Sequence, residues 1–216
     1  MEYYEIVMLE KFYINQYNHT DLNIYRCGIE SCVPGHSWGP AIRDHYIIHY
    51  ILDGKGIFRL RGVTYQLCKG DGFLICPNAI VYYKADMEEP WSYTWIGFHG
   101  LKAESYLVQA GLNLNNPIFR YDKDDFISNC FKQMIETKNL GRGKEARLIG
   151  LLYTLLSQLI ENIDENIIHS EKSNMPEKYI RKAIEYISMN YSIKTSIKDI
   201  AAYVGLDRSY LYTLFK

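Results

Sequence analysis

Little in this 216-residue chain is extreme, and what it lacks narrows its class. No apolar run approaches the roughly 20 residues that span a bilayer, and Met1-Glu-Tyr-Tyr-Glu lacks the basic-then-apolar order of a secretory signal. A cytoplasmic protein without a membrane partner is the expectation. The five cysteines, Cys27, Cys32, Cys68, Cys76 and Cys130, are odd in number and contain no Cys-x-x-Cys pair or matching Cys/His cluster. Neither a disulfide framework nor a structural zinc site follows from them, so they read as reduced, structural thiols. Internal repeats and low-complexity tracts are absent as well.

Net charge is also small, at −1, and becomes informative only when split. From Lys172 onward eight Lys or Arg stand against four acids, a local charge of +4 that leaves −5 on the rest. An acidic body with a basic end suits a sensing module joined to a phosphate-binding one; a solvated helical face accounts for the charges equally well.

The pattern along the chain predicts a change of architecture. From about residue 22 to 100, short apolar runs alternate with turn signals: Val33-Pro-Gly, Asp53-Gly-Lys-Gly, Arg61-Gly, Lys69-Gly-Asp-Gly and Pro77-Asn. Such spacing predicts an antiparallel barrel or sandwich. Tyr46–Leu52 and Ile57–Leu60 read as a tight hairpin about Asp53-Gly54, followed by a strand over Val63–Leu67 and others at Phe73–Cys76 and Tyr93–Phe98. After Gly100 the spacing turns helical, first through Phe126, Cys130, Phe131, Met134 and Ile135. A leucine stripe follows at Leu148, Leu151, Leu152, Leu155, Leu159 and Ile163. It is either packed on the strands or shared with a second copy, and a dimer seam is the expectation. Residues 162–176 read as a polar linker, and Tyr179, Ala183, Ile184, Ile187 and Tyr191 as the apolar face of a helix beyond it.

The last stretch, Ser196–Lys216, reads as two short helices about a turn. Ile197, Ile200, Ala201 and Val204 share a face, and Gly205 supplies a left-handed residue to end that helix. Asp207 caps the next one, with Tyr210, Leu211, Leu214 and Phe215 as its buried stripe. A helix-turn-helix of this kind lays its second helix in the DNA major groove.

With that run in place, and with Tyr50-Ile-Leu-Asp-Gly-Lys-Gly, Lys69-Gly-Asp and Pro90-Trp-Ser-Tyr-Thr-Trp-Ile-Gly-Phe upstream, the chain resembles the AraC/XylS family of bacterial transcription regulators along essentially its whole length. The resemblance implies an α+β protein: an arm, a cupin-like antiparallel β-barrel and dimerisation helices over 1–161, a linker over 162–176, and a partial all-α helix-turn-helix domain over 177–216. The family's connecting helix and second helix-turn-helix are not matched, so poor DNA binding by this chain alone is expected. The arm, with Tyr3, Tyr4, Phe12, Tyr13 and Tyr17, is expected to order over the barrel when effector binds.

Residue by residue, Trp95 matches the family position that stacks an indole on a sugar, and Tyr83 and Tyr93 match ligand-contacting positions. Period-two alternation puts Trp91, Tyr93 and Trp95 on one strand face. Arg43 is the candidate guanidinium for orienting a neutral polar ligand, with Trp38 beside it, while Glu30 and His36 flank a Pro-Gly turn and suit a polar cluster at the barrel mouth. In the second short helix, Ser209, Tyr212 and Thr213 match positions the family aims at base edges, and Lys198, Arg208 and Lys216 are candidate phosphate contacts. The metal ligands of enzymatic cupins are not matched. Ile47 and Val81 fall where a Glu and the last His would stand, and Ile42 or Arg43 near another His. The expectation is a non-enzymatic, saccharide-responsive, dimeric DNA-binding regulator without metal or other cofactor. A metal-dependent cupin isomerase or epimerase, and a stand-alone sugar sensor that never touches DNA, are the alternatives.

Overall fold

The computed structural model describes residues 9–13, 21–163, 175–191 and 195–216. The arm residues Tyr3, Tyr4 and Tyr17 and most of the segment read as linker lie outside them. The chain forms two compact units, divided after Asp164.

Among the described residues of the first unit, ten strands make two antiparallel sheets. They are β1 (Leu9–Tyr13), β2 (Asn23–Ser31), β3 (Ser37–Ala41), β4 (Tyr46–Asp53), β5 (Lys55–Leu60), β6 (Val63–Cys68), β7 (Asp71–Ile75), β8 (Val81–Ala85), β9 (Ser92–His99) and β10 (Ile118–Arg120). One sheet has the order β1-β2-β9-β4-β7-β10 and the other β3-β8-β5-β6, together a cupin-like barrel. Burial explains the two sequence textures. On β8, Val81, Tyr83 and Ala85 point inward while Tyr82 and Lys84 are more exposed, the alternation of a sheet wetted on one side. On β4 the alternation disappears, because Ile47 and Ile51 fill the space between the sheets while Ile48 and Tyr50 face helices on the other side.

Those helices are α1 (Ala103–Gln109), α2 (Phe126–Glu136) and α3 (Lys144–Glu161). Leu148, Leu152, Leu155, Leu156 and Leu159 are buried in one cluster with Ile48, Leu74, Ile96 and Phe98 of the larger sheet. The predicted dimer seam along this stripe is therefore corrected: these leucines pack within their own chain. Each buried leucine is worth about 1.5–3 kcal/mol, and the sheet's outer face supplies matching apolar surface at no cost in association entropy. The helix also ends at Glu161, short of Ile163.

The expected hairpin about Asp53-Gly54 is corrected too. β4 and β5 belong to different sheets, and Gly54 marks the corner between them: its φ is +72°, and a Cβ there would lie 2.4 Å from the Pro90 carbonyl oxygen. The tight hairpin instead joins β5 to β6, with Leu60 opposite Val63 across Arg61 and Gly62 at φ 51° and 81°. Two consecutive left-handed residues match the right-handed twist of the strands, as in a type I′ turn. β10 was not expected in a region of helical texture; it adds an edge to β7.

The second unit holds α4 (Met175–Asn190), α5 (Ile197–Val204) and α6 (Arg208–Leu214) about a small core of Ala183, Ala201, Val204 and Leu211. α4 starts two residues inside the segment read as linker. Its packed face runs through Tyr179, Ala183 and Tyr186, the last against Tyr203 with ring centroids 4.7 Å apart and the rings tilted by 39°. Ile184, Ile187 and Tyr191 lie about 100° round the helix and are exposed, which corrects the predicted face. On α5 Ile197 is exposed, and on α6 only Leu211 of the expected stripe is fully buried; Leu214 is half-buried and Tyr210 and Phe215 are exposed. A seven-residue helix turns too few side chains toward so small a core. Among the described residues no helix is long and apolar enough to cross a membrane.

Candidate functional site

The predicted ligand residues converge at the barrel interior through strand register. Glu30 on β2 is paired with Tyr93 on β9, and the Tyr93 hydroxyl donates to Glu30 Oε2 at 2.8 Å. Glu30 Oε1 lies 3.3 Å from His36 Nε2, so the polar cluster read from the Pro-Gly turn forms. The turn itself is held by His36 N–H to the Val33 carbonyl at 3.0 Å and by Ala85 N–H to the His36 carbonyl at 2.8 Å. Trp38 on β3 is opposite Tyr83 on β8, their rings stacked at 5.4 Å, and the Arg43 guanidinium sits 4.1 Å from the Trp38 ring centre. Tyr83 meets Tyr93 edge-on at 6.0 Å. One chain of contacts thus runs His36–Glu30–Tyr93–Tyr83–Trp38–Arg43.

Trp95 joins this wall from a different side, between Gly28 of β2 and His49 of β4. Trp91, Tyr93 and Trp95 do share the inward face, but their surroundings differ. Trp91 is fully buried against Gly56, where a Cβ would meet its ring at 2.5 Å, so it is a packing residue. Tyr83, Tyr93 and Trp95 are also buried, whereas Trp38, Arg43 and His36 are half-exposed. The wall is therefore graded: a half-exposed indole and guanidinium in front, buried phenols and a second indole behind. Two open grooves, of about 420 Å³ beside Tyr65 and Asn116 and about 340 Å³ beside Tyr106 and Tyr153, lie away from it.

Two site neighbours escaped the sequence reading. Arg26 holds its guanidinium 5.3 Å from the Trp95 ring centre, and His49 stacks on Phe73 at 4.4 Å while touching Tyr83 and Tyr93. A period-two row was available for each, since Arg26, Gly28 and Glu30 alternate on β2, and Ile47, His49 and Ile51 on β4. Burial first, then the positive charges of Arg43 and Arg26, hold the His49 pKa down at about 3, so its ring is neutral. Burial pushes Tyr83 up to about 12 and raises Tyr93 as well. Both phenols therefore stay protonated and available as donors.

The enzymatic cupin metal does not fit this barrel. Ile47 and Val81, at two of its ligand positions, are buried aliphatic side chains in the inner core and offer no donor atom.

The caps and the turn of the second unit form as their local signals predict. Ser196 and Asp199 make a reciprocal capping box at the start of α5, with Ser196 N–H to Asp199 Oδ2 at 2.9 Å. Gly205, at φ 80°, ends that helix, and Leu206 N–H reaches back to the Ala201 carbonyl at 3.0 Å. Asp207 Oδ1 then accepts from Ser209 N–H at 2.8 Å and Tyr210 N–H at 2.9 Å, so α6 begins at a defined angle. Ser209, Tyr212, Thr213 and Lys216 are spaced by three and four and are all exposed, as are Arg208 and Lys198. The Thr213 hydroxyl donates to the Ser209 carbonyl at 3.0 Å, which leaves its methyl and oxygen lone pairs to face outward.

Comparison with known proteins gives this arrangement a family. Residues 23–156 match the family model described as the AraC-like ligand binding domain. The Msm operon regulatory protein of Streptococcus mutans is 39% identical over 207 residues, 92% of this chain and 72% of that protein. The lactose operon transcription activator of Staphylococcus xylosus is 31% identical over 202 residues, 91% of this chain and 70% of that protein. The raffinose operon transcriptional regulatory protein of Pediococcus pentosaceus is 30% identical over 199 residues, covering 90% and 71%. The chain belongs to the AraC family of transcription regulators, with the AraC-like ligand binding domain at residues 23–156.

Proposed function

We propose that this chain is a saccharide-responsive regulator in which the barrel binds a neutral sugar and α6 contacts operator DNA, without chemistry on either. The observation that carries it is the graded wall, where Arg43 lies over Trp38, Trp38 stacks on Tyr83, and Tyr93 is tied to Glu30. Indole faces suit the apolar face of a pyranose, while guanidinium, carboxylate and phenol suit its hydroxyls. The lactose and raffinose operon names of two relatives support the same ligand class. Since Tyr83, Tyr93 and Trp95 are buried, the ligand first meets Trp38, Arg43 and His36 and reaches the rest as the mouth opens. Effector acts by binding one arrangement of the protein better than another.

Thermal unfolding with a saccharide panel tests this. A cognate sugar at a hundred times its Kd adds about 2.7 kcal/mol, a rise of roughly 5–10 °C in Tm for a domain of this size. Trp95→Ala and Arg43→Ala each remove most of that rise. Absence of any shift across the panel, or full shifts in both variants, rejects the sugar site.

For DNA, the proposal names Ser209, Tyr212 and Thr213 as groove-facing and Lys198, Arg208 and Lys216 as phosphate-facing. Three phosphate contacts predict a log–log salt slope of about −2.7, and each lysine or arginine replaced by alanine lowers it by about 1. A homodimer is also part of the reading. With the leucine stripe occupied, the half-buried Tyr106, Tyr153 and Ile160 on α1 and α3 are its candidate surface.

A further inference from the structure

At the His36 end of the effector wall, Glu30 and His36 meet Cys32, a side chain to which the saccharide reading gives no role. Glu30, Cys32 and His36 each bring one ligand-type atom into a cluster in which all lie within 4.8 Å of one another. Among the described residues this is the one such trio. We propose that Glu30, Cys32 and His36 form a binding site for a zinc-like divalent cation, distinct from the ligand positions of enzymatic cupins.

The donor set sets the cation class. A carboxylate oxygen, a thiolate and an imidazole are together the ligands of zinc and its late first-row neighbours, whereas magnesium and calcium select all-oxygen sites. Charge balance points the same way. A dication beside one carboxylate, one thiolate and a neutral imidazole is locally neutral, so the desolvation that disfavours a lone thiolate beside Glu30 is offset. On binding, the Cys32 S–H bond breaks, the sulfur–metal bond forms, and the proton leaves to solvent. Three protein donors leave one tetrahedral position for water or another oxygen ligand.

The backbone holds the donors near that geometry. Cys32 N–H bonds the Trp91 carbonyl at 3.1 Å, and Gly35 N–H bonds the Asp86 carbonyl at 3.1 Å, so the turn between Cys32 and His36 is tied at both sides. The Tyr93 hydroxyl fixes one carboxylate oxygen of Glu30 and leaves the other toward His36. Such outer partners orient ligands in metal sites. Cys32 is buried and His36 half-exposed, which gives the cation a route in and a sheltered sulfur. The three donors follow the spacing Glu-x-Cys-x-x-x-His along the chain.

The test uses the 216-residue chain with metal alone, so it does not depend on any saccharide. Zinc titration by calorimetry and metal analysis after dialysis are expected to give one zinc per chain. Cobalt(II) substitution is expected to give a thiolate-to-cobalt charge-transfer band that persists in Cys68→Ser and disappears in Cys32→Ser. His36→Ala, on the half-exposed turn where folding is little affected, weakens zinc at least about tenfold, the lower limit for loss of even an outer partner. Less than one zinc per chain, a cobalt band that survives in Cys32→Ser, or unchanged affinity in His36→Ala overturns the site.

Discussion

Replacing His49 by phenylalanine should flatten the acid side of the barrel's stability profile. His49 is buried between Phe73, Tyr83 and Tyr93, and the Arg43 and Arg26 guanidiniums act on it electrostatically. Its Nδ1 has no hydrogen-bond partner, so the phenyl ring forfeits no bond at that atom. With a folded pKa of about 3 against 6.5 unfolded, neither state binds a proton above pH 7 and the group contributes nothing there. Below pH 6.5 the unfolded chain takes up a proton that the folded one refuses, and stability falls until about pH 3. The loss is about 1.4 kcal/mol per pH unit, hence about 2 kcal/mol between pH 7 and pH 5. His45, whose pKa is also lowered by burial, adds to the same trend in both proteins. Urea unfolding followed by tryptophan fluorescence measures the barrel, since Trp38, Trp91 and Trp95 all lie in it. The parent should lose about 2 kcal/mol more than His49→Phe between pH 7 and pH 5. Equal losses in the two would refute the assignment of a neutral, charge-excluded His49.

Other perturbations test other parts of the structure. Leu155→Ala deletes a fully buried side chain between α3 and the larger sheet and should cost about 2–5 kcal/mol in a dilute, monomeric sample; a cost that appears only on dimerisation would restore the seam reading. Gly56→Ala drives a methyl into the Lys84 carbonyl and the buried Trp91 ring, both at 2.5 Å, and should strongly lower Tm or block folding. A variant as stable as the parent would show that Trp91 is free to move. Asp207→Ala removes the acceptor for two backbone N–H groups at the start of α6 and should cost about 1 kcal/mol in helix-unit stability, read by circular dichroism. Gly205→Ala has open space around it and fails only by backbone strain, about 1–2 kcal/mol for a left-handed alanine. A neutral outcome there would mean that the turn adopts another form.

The helix-turn-helix was legible because its information is local. A capping box spans four residues, a left-handed glycine needs only itself, and Asp207 reaches the next turn; no distant group competes for these bonds. The extent of burial was less legible. Tyr210, Phe215, Ile184 and Ile187 have the right spacing for a core, yet the core of this unit is four small or medium side chains, and it leaves them exposed. Spacing states which residues share a face and says nothing of how much surface opposes it.

In the barrel, period-two patterning by itself determined that Trp91, just before β9, shares an inward face with Tyr93 and Trp95 on it, whereas Tyr83 on β8 was expected from the family resemblance. Which inward residues meet was decided by tertiary structure. Glu30 and Tyr93 are 63 positions apart and become partners only through the β2–β9 register, and the same register brings Arg26 to Trp95. The Asp53-Gly54 signal likewise demanded a sharp reversal without stating whether the next strand stays in its sheet. Local sequence determines backbone conformation because its competing hydrogen bonds lie within a few residues. Sheet membership, the burial of the leucine stripe and the Glu30–Cys32–His36 cluster were decided by packing, where the free energy belongs to surfaces that meet only once the chain has folded.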